Sequence, residues 1–388
     1  MNYTADQRRK LWGILASLAA AVTIAVVLDC LPLASPPTTD VLDNTVSDTS
    51  SEEDYFPETD PSVSTDHTPV TDPAQTTGNP SETTAPEPSA PMPQDSAFVL
   101  TFLGECAPGS PLGTDSFGSL NALAKENGTG YFFSELKPIL STDDLTVASN
   151  TCVFTDADTS SIIGCAAPSA NVNIYKDGSI GFLSLAAPSL HEYSDTALSD
   201  TKHSLDTHGL RYAEDGQFTV FEDDGIRLAL VCLQLKKNIN TADDLAVIRQ
   251  AKEEAEYVIV YFWGGDNDSH APEEWLCTTL RSFADAGASL IVGCGNGILR
   301  PVEQYGSTTI AYSLGTLLDG SAMYHQNATA LLRLTLARNT EGALQQNVEI
   351  IPCYVYEDTW QPCRITDPTD EKQVTGFLQG QIESPTNQ

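Results

Sequence analysis

Hydrophobic positions divide the 388-residue chain into three zones with different spacing. In the first, residues 11–28 form an apolar run without a charge, preceded by Arg8, Arg9 and Lys10. A helix of that length rises about 27 Å, close to the roughly 30 Å hydrocarbon core of a bilayer. A basic cluster marks the cytoplasmic side of such a span, and no Lys or Arg recurs before Lys125. The pattern predicts a cytoplasmic N-terminus over 1–10 and a transmembrane signal-anchor over 11–30. A cleaved signal peptide is one alternative, but its apolar core is shorter, about 7–15 residues. A lipoprotein attached at Cys30 is another, opposed by Leu28 and Asp29 where small residues are wanted. The length of the run favours the uncleaved anchor.

The second zone, 31–96, is dense in Thr, Ser, Pro, Asp and Glu and contains no Lys or Arg. Such a segment buries too little apolar surface to offset the entropy of ordering, which predicts a disordered, self-repelling linker.

From residue 98 short apolar runs alternate with amphipathic stretches. Runs at 98–103, 145–148, 180–185, 257–263, 289–292, 310–314, 328–337 and 348–356 predict strands. Asp223-Asp224-Gly225 between 217–222 and 226–233 predicts a hairpin. Helices are expected at 131–140, at 244–256 after Thr241, and at 273–286, where Gly287 stops the last. This alternation predicts an α/β domain over 97–366 with mostly parallel central strands. Residues 367–388 read as a C-terminal tail. In such sheets ligand chemistry gathers in loops at the carboxyl ends of strands, here near Gly104, Ser149, Ala186, Trp263 and Gly293. None of these loops carries a dinucleotide fingerprint or a phosphate loop, and the chain has no internal repeat.

Charge narrows the partners. The net charge is −34, and 38 of the 53 acidic but only 16 of the 19 basic residues lie beyond Asp95, leaving the domain near −22. That field disfavours nucleic acid, anionic headgroups and polyanionic polymers as direct ligands. Eight cysteines follow the predicted anchor, without a Cys-x-x-Cys pair, so disulfides or buried thiols are preferred to a zinc site. Cys106 and Cys152 each follow an early strand, and Cys353 and Cys363 bracket Glu357-Asp358. Both pairs are candidate bridges, with buried thiols as the alternative.

Several segments carry a family resemblance. Thr101-Phe-Leu-Gly104, Tyr131-Phe-Phe133 with Lys137-Pro138, Asp144-Leu-Thr146 and Cys152-Val-Phe-Thr-Asp156 resemble successive blocks of the CapA, or poly-γ-glutamate capsule-synthesis, family. Ala284-Asp-Ala-Gly-Ala288, Val292-Gly293, Leu299-Arg-Pro-Val-Glu303 and Tyr312-Ser-Leu-Gly315 continue the series. The resemblance spans 98–320 and implies a metallophosphoesterase-like α/β sandwich. It also implies a two-metal site built from an Asp after the first strand, an Asn-Leu-Glu block, an Ala-Asn-Asn-His block, a His beside Trp-Gly and a His-His-Pro-His block.

At those positions this chain carries Glu105, then Ser149 and Thr151, then Ala187, Pro188 and Ser189, then Phe262, then Cys294 and Gly297. Ala187, Pro188, Phe262 and Gly297 offer no donor atom, and Glu105, even with Cys294, is too small a set, so the resemblance implies a degenerate site with no catalytic residue, no metal and no cofactor. A site rebuilt from His191, Glu192, Asp266, Asp268 and His270 is the competing reading. A triad around Ser189 lacks the turn that a nucleophilic serine needs. The expected function is a non-catalytic binding or scaffold domain in envelope or capsule assembly, outside the cell on a single membrane pass. Its partners would be envelope components or a protein. The alternative is a divergent hydrolase acting on an envelope polymer through a relocated site.

Overall fold

A computed structural model describes residues 97–159, 164–192, 195–320, 327–355 and 360–386. The expected anchor and linker, within 1–96, lie outside the described residues, among which no helix is long and apolar enough to cross a membrane. The strands in chain order begin with β1 (Ala97–Ala107), β2 (Ser110–Pro111), β3 (Leu145–Asn150), β4 (Val153–Phe154), β5 (Cys165–Ala167) and β6 (Phe182–Ser184). Next come β7 (Arg211–Ala213), β8 (Gln217–Asp223), β9 (Ile226–Leu235), β10 (Tyr257–Gly264), β11 (Leu290–Cys294) and β12 (Leu299–Tyr305). The series closes with β13 (Thr308–Leu314), β14 (Thr316–Asp319), β15 (Asn327–Arg338), β16 (Leu344–Val355) and β17 (Pro362–Arg364).

Two large sheets result. The first runs β17-β16-β15-β1-β3-β6-β7, with β14 also on β1; the second runs β12-β13-β11-β10-β9-β8. Parallel pairing joins β14 to β1 and β1 to β3, β6 and β7 in turn, and likewise joins β9, β10, β11 and β13. The outer strands β8, β12, β15, β16 and β17 pair antiparallel. A small third sheet is formed by β2, β5 and β4.

β10 illustrates why the sheets stack. Its sequence, Tyr257 to Gly264, is an almost continuous apolar run, as a strand covered on both faces requires. Tyr257, Ile259 and Tyr261 point into a core shared with Phe98, Leu100, Phe102 and Leu332 of the first sheet. Val258, Val260 and Phe262 point the other way, onto helices Ala242–Glu254 and Glu274–Asp285. These helices cover the face with Ile248, Leu276, Leu280 and Phe283. A third core packs the outer face of the first sheet against Leu120, Phe132, Phe133, Tyr175 and Leu205. The mixed α/β fold is thus a pair of facing sheets with helices outside.

Two segments differ from expectation. Residues 131–140 give only a short turn, Thr129–Tyr131, and a helix Lys137–Leu140. Pro138 has no N–H to continue an earlier turn and so begins a helix instead. Residues 367–388 are not a loose tail. Asp367 accepts from Thr369 N at 2.8 Å and caps helix Pro368–Leu378. Val374, Phe377 and Leu378 of that helix enter the core between the sheets.

Candidate functional site

The carboxyl ends of β1, β3, β10 and β11 meet at one end of the sandwich, and β1 supplies the central group. Strict alternation would send Glu105 outward with Leu103. The pairing of β1 slips between Phe102 and Glu105, and again between Glu105 and Cys106. These irregularities re-aim the side chain. Glu105 sits opposite Ser149 of β3 and Thr316 of β14, and its N–H donates to Gly315 O at 2.9 Å. Gly104 permits this approach, since a Cβ there would lie 2.0 Å from Gly315 O.

Around Glu105 stand Gly297, Thr151, Trp263 and Asp319. Burial pushes its carboxyl from 4.5 up to about 7, Asp319's negative charge adds to the rise, and polar groups of Gly297, Thr151 and Trp263 pull it back. Glu105 Oε2, Ser149 Oγ and Trp263 Nε1 are sealed from solvent and lack a hydrogen-bond partner of normal geometry. Cys294 lies beside them with its Sγ 3.5 Å from Phe262 O. Burial raises its thiol far above the ordinary range, Glu105's charge adds to this, and Ser149 and Tyr261 partly offset it. Just outside, Tyr175 Oη donates to Asn150 Oδ1 at 2.8 Å, with Cys106 O 3.2 Å away as a second acceptor for the same proton. Ser189 Oγ donates to Thr151 O at 3.2 Å.

The structure therefore brings together Glu105, Ser149, Thr151, Cys294 and Gly297. Ser189, after buried Ala187 and half-buried Pro188, adjoins Thr151. Phe262 is set apart: the alternation of β10 turns it to the helix side, where it fills the space left by Gly293, whose Cβ would lie 2.3 Å from its Cζ. Trp263, its neighbour, is the β10 side chain near Glu105. Asp319 and Tyr175 escaped sequence reasoning, which marked Trp263 only as the end of its strand. The only signal for Asp319 was its place four residues beyond Tyr312-Ser-Leu-Gly315.

The loop after β10 is organised by Arg300, which is fully buried. Its Nη2 donates to Asn267 O at 3.0 Å, its Nε to Ser269 O at 3.2 Å, and its Nη1 lies 3.4 Å from Glu273 Oε2. Glu273 Oε1 accepts from the N–H groups of Asp266 and Asn267 at 2.6 and 3.0 Å. Gly265, at φ +119°, leaves room for the guanidinium: a Cβ there would lie 2.3 Å from Nη1. Asp266 and Asp268 are exposed. The His270 ring is directed at Leu299 O, 2.8 Å away, and stacks edge-on against Phe377. These groups serve the loop rather than converge on Glu105. The side chains of His191 and Glu192 lie outside the described residues.

The two expected disulfides are corrected. All eight described cysteines are thiols. Cys363 pairs across from Tyr354 and Cys353 from Arg364, so the two sulfurs leave opposite faces of the sheet. Cys106 aims its Sγ at Gly104 O, 3.8 Å away, whereas Cys152 faces Cys165.

The family described as "Bacterial capsule synthesis protein PGA_cap" matches residues 99–321. The chain belongs to this family. The "PGA biosynthesis protein CapA" of Bacillus subtilis (strain 168) is 31% identical over 121 residues, which are 31% of this chain and 30% of that protein. The matched segment thus spans under a third of that relative's length. A hypothetical protein from Thermus thermophilus aligns over 65% of this chain and 99% of its own at 13% identity and a TM-score of 0.39. The 5'-nucleotidase from Candida albicans SC5314 aligns over 64% of this chain and 50% of its own at 13% identity and a TM-score of 0.32.

Among the described residues, the strand-end cluster of this PGA_cap member does not offer a donor set suited to a pair of divalent ions. Two such ions need several oxygen or nitrogen donors converging on a separation of about 3.5–4 Å. Glu105 and Asp319 are the carboxylates present, beside neutral Ser149 and Thr151 and a protonated thiol. Among the described residues no three His, Cys, Asp or Glu side chains form a cluster able to hold a metal.

Proposed function

We propose that this chain is a non-catalytic PGA_cap module, a binding or scaffold domain in capsule or envelope assembly. On this reading its facing sheets are a metallophosphoesterase-like sandwich, displayed outside the cell on an N-terminal anchor and linker. Its partners are envelope components or a protein. The observation that carries the reading is the composition of the strand-end cluster. Glu105 is half-neutral near pH 7, Cys294 is a buried thiol, and the His270 ring is turned to Leu299 O and Phe377. Buried, neutral hydrogen-bonding groups of this kind are poorly suited to clamping two cations, which favours binding over hydrolysis.

One observation favours the alternative, a divergent hydrolase acting on an envelope polymer. A carboxyl raised to about 7 is matched to general acid or base work at neutral pH. The test is turnover of aryl phosphoesters and γ-glutamyl peptides by the purified full-length chain, with and without Mn²⁺ or Zn²⁺. The module reading expects no rate above buffer and no change in Glu105→Ala. Turnover that Glu105→Ala abolishes would establish the hydrolase instead.

A further inference from the structure

Two thiols outside the cluster meet in the small sheet. β4 and β5 run parallel, with Val153 opposite Ala166 and Phe154 opposite Ala167. One step back along both strands sets Cys152 opposite Cys165, and their sulfurs lie 3.4 Å apart. Neighbouring strands are about 4.8 Å apart, within the roughly 4.4–6.8 Å between Cα atoms that a disulfide spans. Each thiol is a weak donor with a long contact to a carbonyl, Cys152 to Val153 O and Cys165 to Ala107 O, both at 3.6 Å. Gly109 makes room for the pair, since a Cβ there would come within 2.5 Å of Cys152 Sγ. Both residues are buried, so the sulfurs are held together by the strands and shielded from other thiols once the chain has folded.

We propose that Cys152 and Cys165 form a disulfide when the chain folds in an oxidising compartment. The oxidant is a disulfide, either a small molecule such as oxidised glutathione or an exchange-competent protein. One cysteine thiolate attacks it, forming a mixed disulfide and releasing one thiol. The second thiolate then displaces the other half, so that two protons leave and two electrons reduce the oxidant to a pair of thiols. Because burial lifts the Cys152 thiol well above its ordinary range, the exchange belongs to folding or to local opening of β4 and β5. The bridge links β4 to β5 directly after Asn150 and Thr151, stapling the loop on which one side of the Glu105 cluster stands.

The experiment is disulfide mapping of the full-length chain refolded in a glutathione redox buffer. Free thiols are blocked before cleavage at aspartates. Asp156 and Asp158 lie between the two cysteines, so cleavage leaves these on separate peptides joined only through sulfur. The expected result is a linked pair that separates on reduction and disappears in both Cys152→Ala and Cys165→Ala. Recovery of both cysteines as blocked thiols, or of either one linked to Cys106 or another cysteine, overturns the proposal.

Discussion

At the residue scale, Glu105 decides how the site responds to pH. Its carboxyl moves from 4.5 to about 7 because burial, and then Asp319, disfavour the charged form. Below about pH 4.5 the group is protonated in both folded and unfolded chains. Between that value and about 7 the unfolded chain has released a proton that the folded chain retains. This group's contribution to stability therefore falls as pH rises through the window and levels off above it. Glu105→Gln removes the dependence. Allowing for Glu105's partial exposure, the substitution is expected to raise stability at pH 8 by about 2 kcal/mol and leave it little changed at pH 4. Denaturant titrations of both chains at several pH values check this, and parallel pH profiles would contradict it. The identity of Glu105 was legible from the family blocks, but its raised pKa was not. That depends first on burial and then on Asp319, more than two hundred residues away in sequence and brought close by the parallel pairing of β14 with β1.

At the scale of elements, the patterns that were legible are those in which burial repeats. β10 and the helix Glu274–Asp285 announce themselves because every inward position is apolar. The segment after Asp367 did not, since Glu371, Lys372, Gln373 and Thr375 dilute the three residues that matter. Phe377 is 2% exposed in the core between the sheets and also supports His270 at the foot of the Arg300 loop. Phe377→Ala is expected to destabilise the domain by about 3 kcal/mol, read as a lower urea midpoint with an unchanged slope. A change within a few tenths of a kcal/mol would mean the helix is dispensable, as a tail would be. The short strands β7 and β14 also went unread. Three or four residues carry no period, and their pairing is set by the neighbours they align with, β6 and the long β1. The cysteine pairing failed for a related reason. Spacing along the chain does not reveal that Cys353 and Cys363 fall on opposite sides of the ladder, or that β5 returns Cys165 to Cys152.

At the scale of the whole molecule, a strongly acidic domain follows a polar linker and an apolar N-terminal run. The anchored reading expects protease added to intact, wall-stripped cells to release the domain by cutting within residues 31–96. A mature chain beginning at or near Cys30 would show processing instead and remove the anchor from the account. The site poses the larger question, because PGA_cap membership was legible from ordered blocks while the proposed loss of its chemistry rests on individual side chains. Phe262 shows the limit of alignment: it occupies an expected ligand position, yet the strand turns it to the opposite face. The most direct test of the non-catalytic account is calorimetric titration of the full-length chain with Mn²⁺ and Zn²⁺, alongside Glu105→Ala. The account expects no saturable binding beyond the weak, salt-sensitive association of an acidic surface, and identical traces for the two chains. Stoichiometric binding of one or two ions per chain that Glu105→Ala abolishes would contradict it.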